Sequence, residues 1–497
     1  MDSKEKVVVI GGGFAGINFV KKLDRKRYDV TLVDRNNYHS FPPLFYQVAA
    51  SGLEPASISF PFRREMRKMT PPPCYHIGEV KSIDVIDKKV VTQYETLHYD
   101  LLVIATGTTN NFFNIPDIYK RVFTIKSTGE AIRCRNEILD RLERASICRD
   151  DEARKKLLSF TVIGGGPTGV EVAGALGEMK RYILRREYKS IPPEQLVITL
   201  VEGSDRLLRT MSETASRSAL KYLKELSVNV MLNQSMKSYD DNVVTFTDGS
   251  TLYSGMVIWT AGVTGESVSV ENGTIERGPG NRIMVDAYNR VKGHDNIFAL
   301  GDIALYCDDS YPRGCPQLAQ VAIQQARNLA KNLNSGAMKK PFEYKDKGSM
   351  ATIGRNRAVA DLKHLHLTGF VAWFVWMFIH LISLLGTSSL CSPTGSGHTS
   401  LIPHRCVCSS VRAAIRSVTA ERSGKSKREH GGRCFGGVGE KPQCRALCLC
   451  KSAAIGEPYA VARFLCREKR HKQLPLYLFR NLFTMIDYHD CDCAVGV

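Results

Sequence analysis

Two stretches of the chain carry one pattern. Val7–Phe19 reads VVVIGGGFAGINF, and Phe160–Val172 reads FTVIGGGPTGVEV. In each, an apolar, β-branched run without polar alternation predicts a strand buried on both faces. Glycines at G-x-G-x-x-G spacing follow, and a helix-like stretch comes after them. A second apolar run then closes on an acid: YDVTLVD ends at Asp34 and LVITLVE at Glu202. The second acid lies farther from its glycines, and RYILRREYKSIPPEQ accounts for the extra length. Each copy continues into an alternating segment that ends in an apolar run and a glycine turn. These segments are KVVTQYETLHYDLLVIATG and NVVTFTDGSTLYSGMVIWTAG, where TDGS predicts a hairpin. A repeat on this scale predicts an α/β chain with two Rossmann-like dinucleotide-binding domains. Each would have a parallel sheet with a small antiparallel addition.

The glycine spacing has a chemical reason. Gly11 permits the tight turn, Gly13 lets the backbone approach a pyrophosphate, and Gly16 lets helix and strand close together. The helix N-terminus then offers free N–H groups and a favourable dipole to the phosphates. Asp34 is placed to hold a ribose hydroxyl pair. Gly164, Gly166 and Gly169, with Glu202, repeat the arrangement. Phe14 and Ala15, Arg35, Pro167 and Thr168, and the turns Ala105–Thr106–Gly107 and Ala261–Gly262 complete the expected cofactor-binding set. Two dinucleotides on one chain point to electron transfer between them, with a flavin and a nicotinamide as the pair. A carboxylate at Glu202 repels a 2′-phosphate and favours NADH, although Arg206 and Arg209 leave NADPH open.

Charge and cysteine change the picture only at the C-terminal end. The 497 residues carry a formal charge of +18, and about half of the excess lies from Thr387 onward, with 17 Lys+Arg against 8 Asp+Glu. Ten of the 15 cysteines also lie there, including Cys406/Cys408, Cys448/Cys450 and Cys491/Cys493. The five earlier cysteines are scattered, as in a reducing compartment. The paired C-x-C spacings allow zinc but give no set of four ligands at a familiar spacing, so no metal is expected. Gly- and Lys/Arg-rich composition predicts that 387–497 is disordered, or a frameshifted end. Within it, LPLYLFRNLFTMI could touch a membrane. MDSKEK is too short for a signal or transit peptide. Phe370–Leu385, FVAWFVWMFIHLISLL, would reach roughly 24 Å as a helix, short of a bilayer core of about 30 Å. Trp373, Trp376 and His380 suit an interface, so a monotopic contact is expected, with a buried core helix as the alternative.

From about Val7 to Gly386 the chain resembles the type II (alternative, non-pumping) NADH:quinone oxidoreductases, flavoproteins with two dinucleotide-binding domains. NNYHSFPPLFYQVAAS resembles the family's segment after the first acid. NIFALGDIA is similar to its flavin-closing motif, which implies that Gly301 and Asp302 meet the ribityl or phosphate end of FAD. PQLAQVAIQQA resembles its quinone-site helix, and GFVAWFVWMFIHLISLLG the start of its membrane-docking region. The resemblance implies non-covalent FAD, NADH as co-substrate, and a hydride passed from NADH to FAD with two electrons going on to ubiquinone or menaquinone. It implies Glu171 near the nicotinamide and flavin, and Ala319, Gln320 and Gln324 at the flavin and quinone. The residues alone also allow other roles: Glu171 for a first-turn dipole, and the two glutamines, four apart, for a solvated face. Pro316 could occupy the first turn of that helix, and Ala319, Ala322 and Ala326 could leave room for a flat ring.

The expected organisation is a discontinuous FAD domain over 1–115 and 276–345, an inserted NADH domain over 116–275, a docking region over 346–386 and the tail. A homodimer on the cytoplasmic face of a bacterial-type inner membrane is expected, with a mitochondrial setting second for want of a transit peptide. Disulfide reductases are disfavoured because no cysteine pair follows the first ribose acid. A sulfide:quinone oxidoreductase would use cysteines such as Cys148, Cys307 and Cys315, but such enzymes usually lack an intact second nucleotide loop. A nucleic-acid-binding flavoprotein, like apoptosis-inducing factor, would need a basic stripe interleaved with aromatics, so no nucleic acid is expected.

Overall fold

The computed structural model describes residues 4–363 and 365–387, and there the repeat becomes two parallel sheets of one design. Strand β1 (Glu5–Ile10) has its last four residues buried because both faces of this central strand are covered. Gly11 turns the chain into α1 (Phe14–Lys22), and β2 (Tyr28–Asp34) returns parallel to β1, with Val8 opposite Thr31. The proline-rich segment that follows includes α2 (Phe45–Ala49), and β3 (Cys74–Ile77) then adds beside β2. Strands β4 (Val80–Asp84), β5 (Lys89–Thr92) and β6 (Thr96–His98) form the antiparallel addition. Strand β7 (Leu101–Ile104) rejoins the parallel sheet next to β1.

The second copy opens with β8 (Phe123–Thr124) and α3 (Thr128–Ile147), capped by Ser127 Oγ, which accepts from the Glu130 N–H at 3.2 Å. Then come β9 (Ser159–Ile163), α4 (Pro167–Glu178), β10 (Val197–Val201), α5 (Glu213–Glu225) and β11 (Val228–Met231). The extra length before β10 is partly a π-helical turn, Met179–Leu184, continuing α4. Strands β12 (Met236–Asp240), β13 (Val243–Phe246) and β14 (Thr251–Tyr253) repeat the antiparallel addition, with TDGS at the expected hairpin, and β15 (Met256–Trp259) returns beside β9. The chain then rejoins the first unit: β16 (Ser269–Glu271) pairs with β4, and β17 (Ile297–Ala299) pairs with β7. The two parallel sheets run β17–β7–β1–β2–β3 and β8–β15–β9–β10–β11; four positions correspond, while the outer strand comes last in the chain in the first sheet and first in the second.

Helix α6 (Ala319–Asn334) packs along α1. An antiparallel sheet of β18 (Ser349–Thr352), β19 (Ala358–Leu362) and β20 (Leu365–Thr368) follows, covered by α7 (Gly369–Thr387). Two expectations shift here. Trp376 is buried with Ala372 and Val375, and His380 stacks on it at 4.2 Å and meets Phe41 edge-on at 6.1 Å. Trp376 therefore packs inward, on the i, i+3, i+4 face that α7 turns to the sheet, and His380 packs between Trp376 and Phe41. Pro316 lies outside α6, whose N-cap is Leu318. Among the described residues, no helix is long and apolar enough to cross a membrane. Beyond Thr387 the expected tail, with its C-x-C pairs and LPLYLFRNLFTMI, lies outside the described residues.

One packing feature joins the units. Phe45, Tyr46 and Val48 of α2 are buried in one core with Ile138 and Leu142 of α3 and Val170 and Ala173 of α4. Helix α2 follows the first ribose acid in sequence, yet its apolar side chains complete the core of the second sheet.

Candidate functional site

The first crevice opens at the C-terminal ends of β1, β2 and β7. A Cβ on Gly11 would lie 2.4 Å from the Ala105 carbonyl oxygen, and one on Gly16 would lie 1.9 Å from that of Gly11. At Gly13 nothing stands within 4 Å, so its exposed backbone is what a phosphate would meet. The loop is held from below. Asp34 Oδ2 accepts from the Gly12 N–H at 2.7 Å, and Oδ1 accepts from the Asn36 N–H at 2.7 Å. Burial pushes the Asp34 carboxyl above its ordinary range, while these two N–H donors pull it back. The second crevice repeats the arrangement. Gly166 is likewise open, Glu202 Oε2 accepts from the Gly165 N–H at 2.5 Å, and Oε1 accepts from the Ser204 N–H at 2.8 Å and its hydroxyl at 2.7 Å. Pro167 and Thr168 are exposed at the start of α4, and Gly169 is buried against the Gly164 carbonyl. Ala261 and Gly262 close the rim, with the Phe113 ring against Gly262.

The remaining first-crevice residues also converge. Ala105 hydrogen-bonds back to Ile10, Thr106 Oγ1 donates to the Glu266 carbonyl at 3.3 Å, and the Glu266 N–H donates to the Gly107 carbonyl at 3.1 Å. Arg35 is mostly exposed, 3.8 Å from the Glu266 carboxylate. Burial raises the Asp302 carboxyl, and the charges of Lys126 and Arg282 oppose that rise. Gly301, at φ +74°, is wedged where Ala15 and Ala322 would each stand 3.2 Å from a Cβ. Its N–H donates to Gln325 Oε1 at 2.7 Å, and Gln325 is only 1% exposed. Gln325 was not among the expected residues. Its signal was its register: it falls on the buried, mostly apolar face of α6 with Val321, Ala322, Ala326 and Leu329, where Asn332 is the other polar residue.

Helix α6 alters the expected quinone residues. Gln320 and Gln324 do share a face, but each amide is engaged at both ends by the main chain. Gln320 donates to the Gly348 carbonyl at 3.0 Å and accepts from the Lys347 N–H at 3.0 Å. Gln324 donates to the Lys345 carbonyl at 2.9 Å and accepts from its N–H at 3.0 Å. The pair thus holds residues 345–348 against the helix. Ala322 and Ala326 are buried against α1, so their small size serves helix packing and leaves no room there for a ring. Ala319 remains half-buried at the uncapped N-terminus of α6, whose partial positive charge favours an anion nearby.

Glu171 stands past the first turn of α4, where a dipole role would have placed it. Glu171 is half-buried by exposed area, yet the protein atoms packed around its carboxyl strip enough water to raise it to about 8, and its hydrogen bond comes from the Thr352 N–H, at 3.4 Å from Oε1. It is therefore largely protonated at neutral pH.

Residues 5–326 match the family model described as pyridine nucleotide-disulphide oxidoreductase. The chain is 33% identical over 401 residues to the type II NADH:quinone oxidoreductase Ndh of Mycobacterium tuberculosis, spanning 77% of this chain and 85% of that protein. It is 29% identical to the mitochondrial internal alternative NAD(P)H-ubiquinone oxidoreductase A1 of Arabidopsis thaliana, spanning 76% and 80%. NDH2 from Plasmodium falciparum, solved in complex with NADH, superposes with a TM-score of 0.71 at 25% identity, covering 77% of this chain and 95% of that one. The sulfide:quinone oxidoreductase of Aquifex aeolicus, at 18% identity and a TM-score of 0.62, covers 88% and 100% and shares the fold alone.

Proposed function

The chain belongs to the type II NADH:quinone oxidoreductases within the pyridine nucleotide-disulphide oxidoreductase family, and from that membership we propose how its residues divide the transfer of reducing equivalents from NADH to a quinone. The observation that carries the division is the pair of equivalent crevices, each with open glycine backbone and an acid bonded to the loop. The residues fit FAD in the first crevice: Gly13 and the N-terminus of α1 face its pyrophosphate, Asp34 a ribose, and Gly301 and Asp302 the ribityl or phosphate end. When bound there, FAD supplies a ring that accepts a hydride and passes on two electrons.

The second crevice takes NADH. Gly166, Pro167 and Thr168 meet its pyrophosphate, and Glu202 favours free ribose hydroxyls over a 2′-phosphate. Glu171 holds a proton at neutral pH and can release it as the site changes charge. The quinone approaches near Ala319, where the dipole of α6 favours negative charge, and Gln320 and Gln324 shape that side through residues 345–348. Helix α7 docks on a membrane through its outer apolar residues, among them Phe370, 52% exposed. The setting we propose is a homodimer on the cytoplasmic face of a bacterial-type inner membrane, with no nucleic-acid partner. Stopped-flow absorbance tests the function. NADH should bleach the flavin band and a quinone analogue should restore it; a band that NADH leaves unchanged would refute the reading.

A further inference from the structure

Three segments far apart in the chain meet beside Glu171. Thr352, the last residue of β18, turns its N–H to Glu171 Oε1 at 3.4 Å and its Oγ1 to the Tyr46 hydroxyl at 2.7 Å. The Tyr46 hydroxyl also accepts from Gln47 Nε2 at 3.0 Å. Tyr46 is 6% exposed and Thr352 is 3% exposed. The seam is tight, since a Cβ on Gly174 of α4 would lie 3.0 Å from the Gly354 nitrogen.

We propose that Tyr46 and Thr352 are positioning residues for Glu171: the hydroxyl pair fixes Thr352 so that its main-chain N–H is presented to the carboxyl. The inference rests on the reading of Glu171 as the group that exchanges a proton during turnover. One residue serves two partners through different atoms. Thr352 cannot move relative to Glu171 without stretching the bond between its hydroxyl and the phenol. Gln47 in turn fixes the phenol, and α2 is itself buried against α4.

Glu171 has few charged neighbours to share this role. From α2 the titratable group facing it is the Tyr46 phenol. Strands β9, β10, β11 and β18 carry no ionisable side chain. The charged side chains of α5, from Glu213 to Glu225, are exposed. Glu178, two turns on in α4, lies among Arg181, Arg355 and Arg357. In the π-helical turn Lys180 donates to the Leu196 carbonyl at 2.7 Å. The N–H of Thr352 is therefore the group that favours the ionised carboxyl against burial.

If the hydroxyl pair is broken, the N–H is free to drift and Glu171 keeps its proton to higher pH. Tyr46→Phe and Thr352→Val both preserve shape and main chain while removing the pair. In the FAD-loaded full chain, an infrared titration would follow the protonated-carboxyl band, assigned by its loss in Glu171→Gln. The midpoint should rise by about half a pH unit to one pH unit in both variants. Thr352→Ser, which keeps the hydroxyl, should restore the parent midpoint. The pH dependence of the half-reactions should shift with it. A parent midpoint in either folded variant, or a Thr352→Ser midpoint as high as that of Thr352→Val, would overturn the proposal. If Tyr46→Phe does not fold, Thr352→Val decides alone. A parent enzyme whose flavin NADH does not bleach would sink the functional reading, while the infrared titration would still decide the positioning role.

Discussion

Replacing Glu171 with Gln should flatten the dependence of stability on pH between 6 and 8. The parent carboxyl is raised to about 8 from an ordinary value of 4.5, because burial removes water that the Thr352 N–H replaces only in part. Below the ordinary value both folded and unfolded chains are protonated, and the group costs nothing. As pH rises, the unfolded chain ionises first while the folded one keeps its proton, so folding stability falls until the pH passes about 8. Each pH unit crossed in that window weakens folding by about 1.4 kcal/mol while the folded carboxyl stays protonated, and by less as it begins to ionise. The loss between pH 6 and pH 8 comes to about 2 kcal/mol. A folded body of this size changes by roughly 0.8 kcal/mol per degree, so Tm should drop by about 3 °C more in the parent than in the variant. Gln keeps the shape and cannot titrate, so the difference between the two slopes isolates this residue. Thermal unfolding of the FAD-loaded chain at matched ionic strength, at pH 6, 7 and 8, provides the measurement. Parallel slopes would mean that Glu171 ionises normally and would remove it as a proton store.

Gln325→Leu should leave the Gly301 N–H buried without an acceptor, at a cost of about 1–3 kcal/mol. FAD retention on dilution should weaken about tenfold, and retention equal to the parent would contradict a role in holding the Gly301–Asp302 turn. Glu202→Ser should narrow the preference for NADH over NADPH, since it removes the repulsive carboxylate; an unchanged ratio of kcat/KM values would place Glu202 away from the ribose. Gln320→Ala and Gln324→Ala each delete two bonds to residues 345–348, worth about 1 kcal/mol apiece. Both should slow flavin reoxidation by quinone more than flavin reduction by NADH in stopped-flow traces, and equal slowing of the two steps would argue against a place on the quinone side.

The two parallel sheets and their glycine loops were legible from the residues alone. Each loop is built within one strand–turn–helix unit, and its acid lies at the end of the next strand, so nearby residues carry nearly all the information. The bonds from Gly12 to Asp34 and from Gly165 to Glu202 follow from that spacing. Gln325 could have been found as well, since it and Asn332 are the two polar residues on the mostly apolar buried face of α6. The environment of Glu171 could not. Helical spacing places it on a face of α4, but its burial depends on α2, its hydrogen bond on β18, and its resulting affinity for protons on both. Similarly, the spacing of Gln320 and Gln324 showed a shared face, while the fold alone decided that the main chain of 345–348 would take up both amides. Trp376 turned inward because a sheet formed by β18, β19 and β20 was there to cover it, and His380 because the rings of Trp376 and Phe41 were. Local pattern sets which backbone a segment adopts. What surrounds a side chain is set by segments outside its own element, from 21 residues away for Gln324 to 181 for Glu171, and solvation and hydrogen bonding depend on those surroundings.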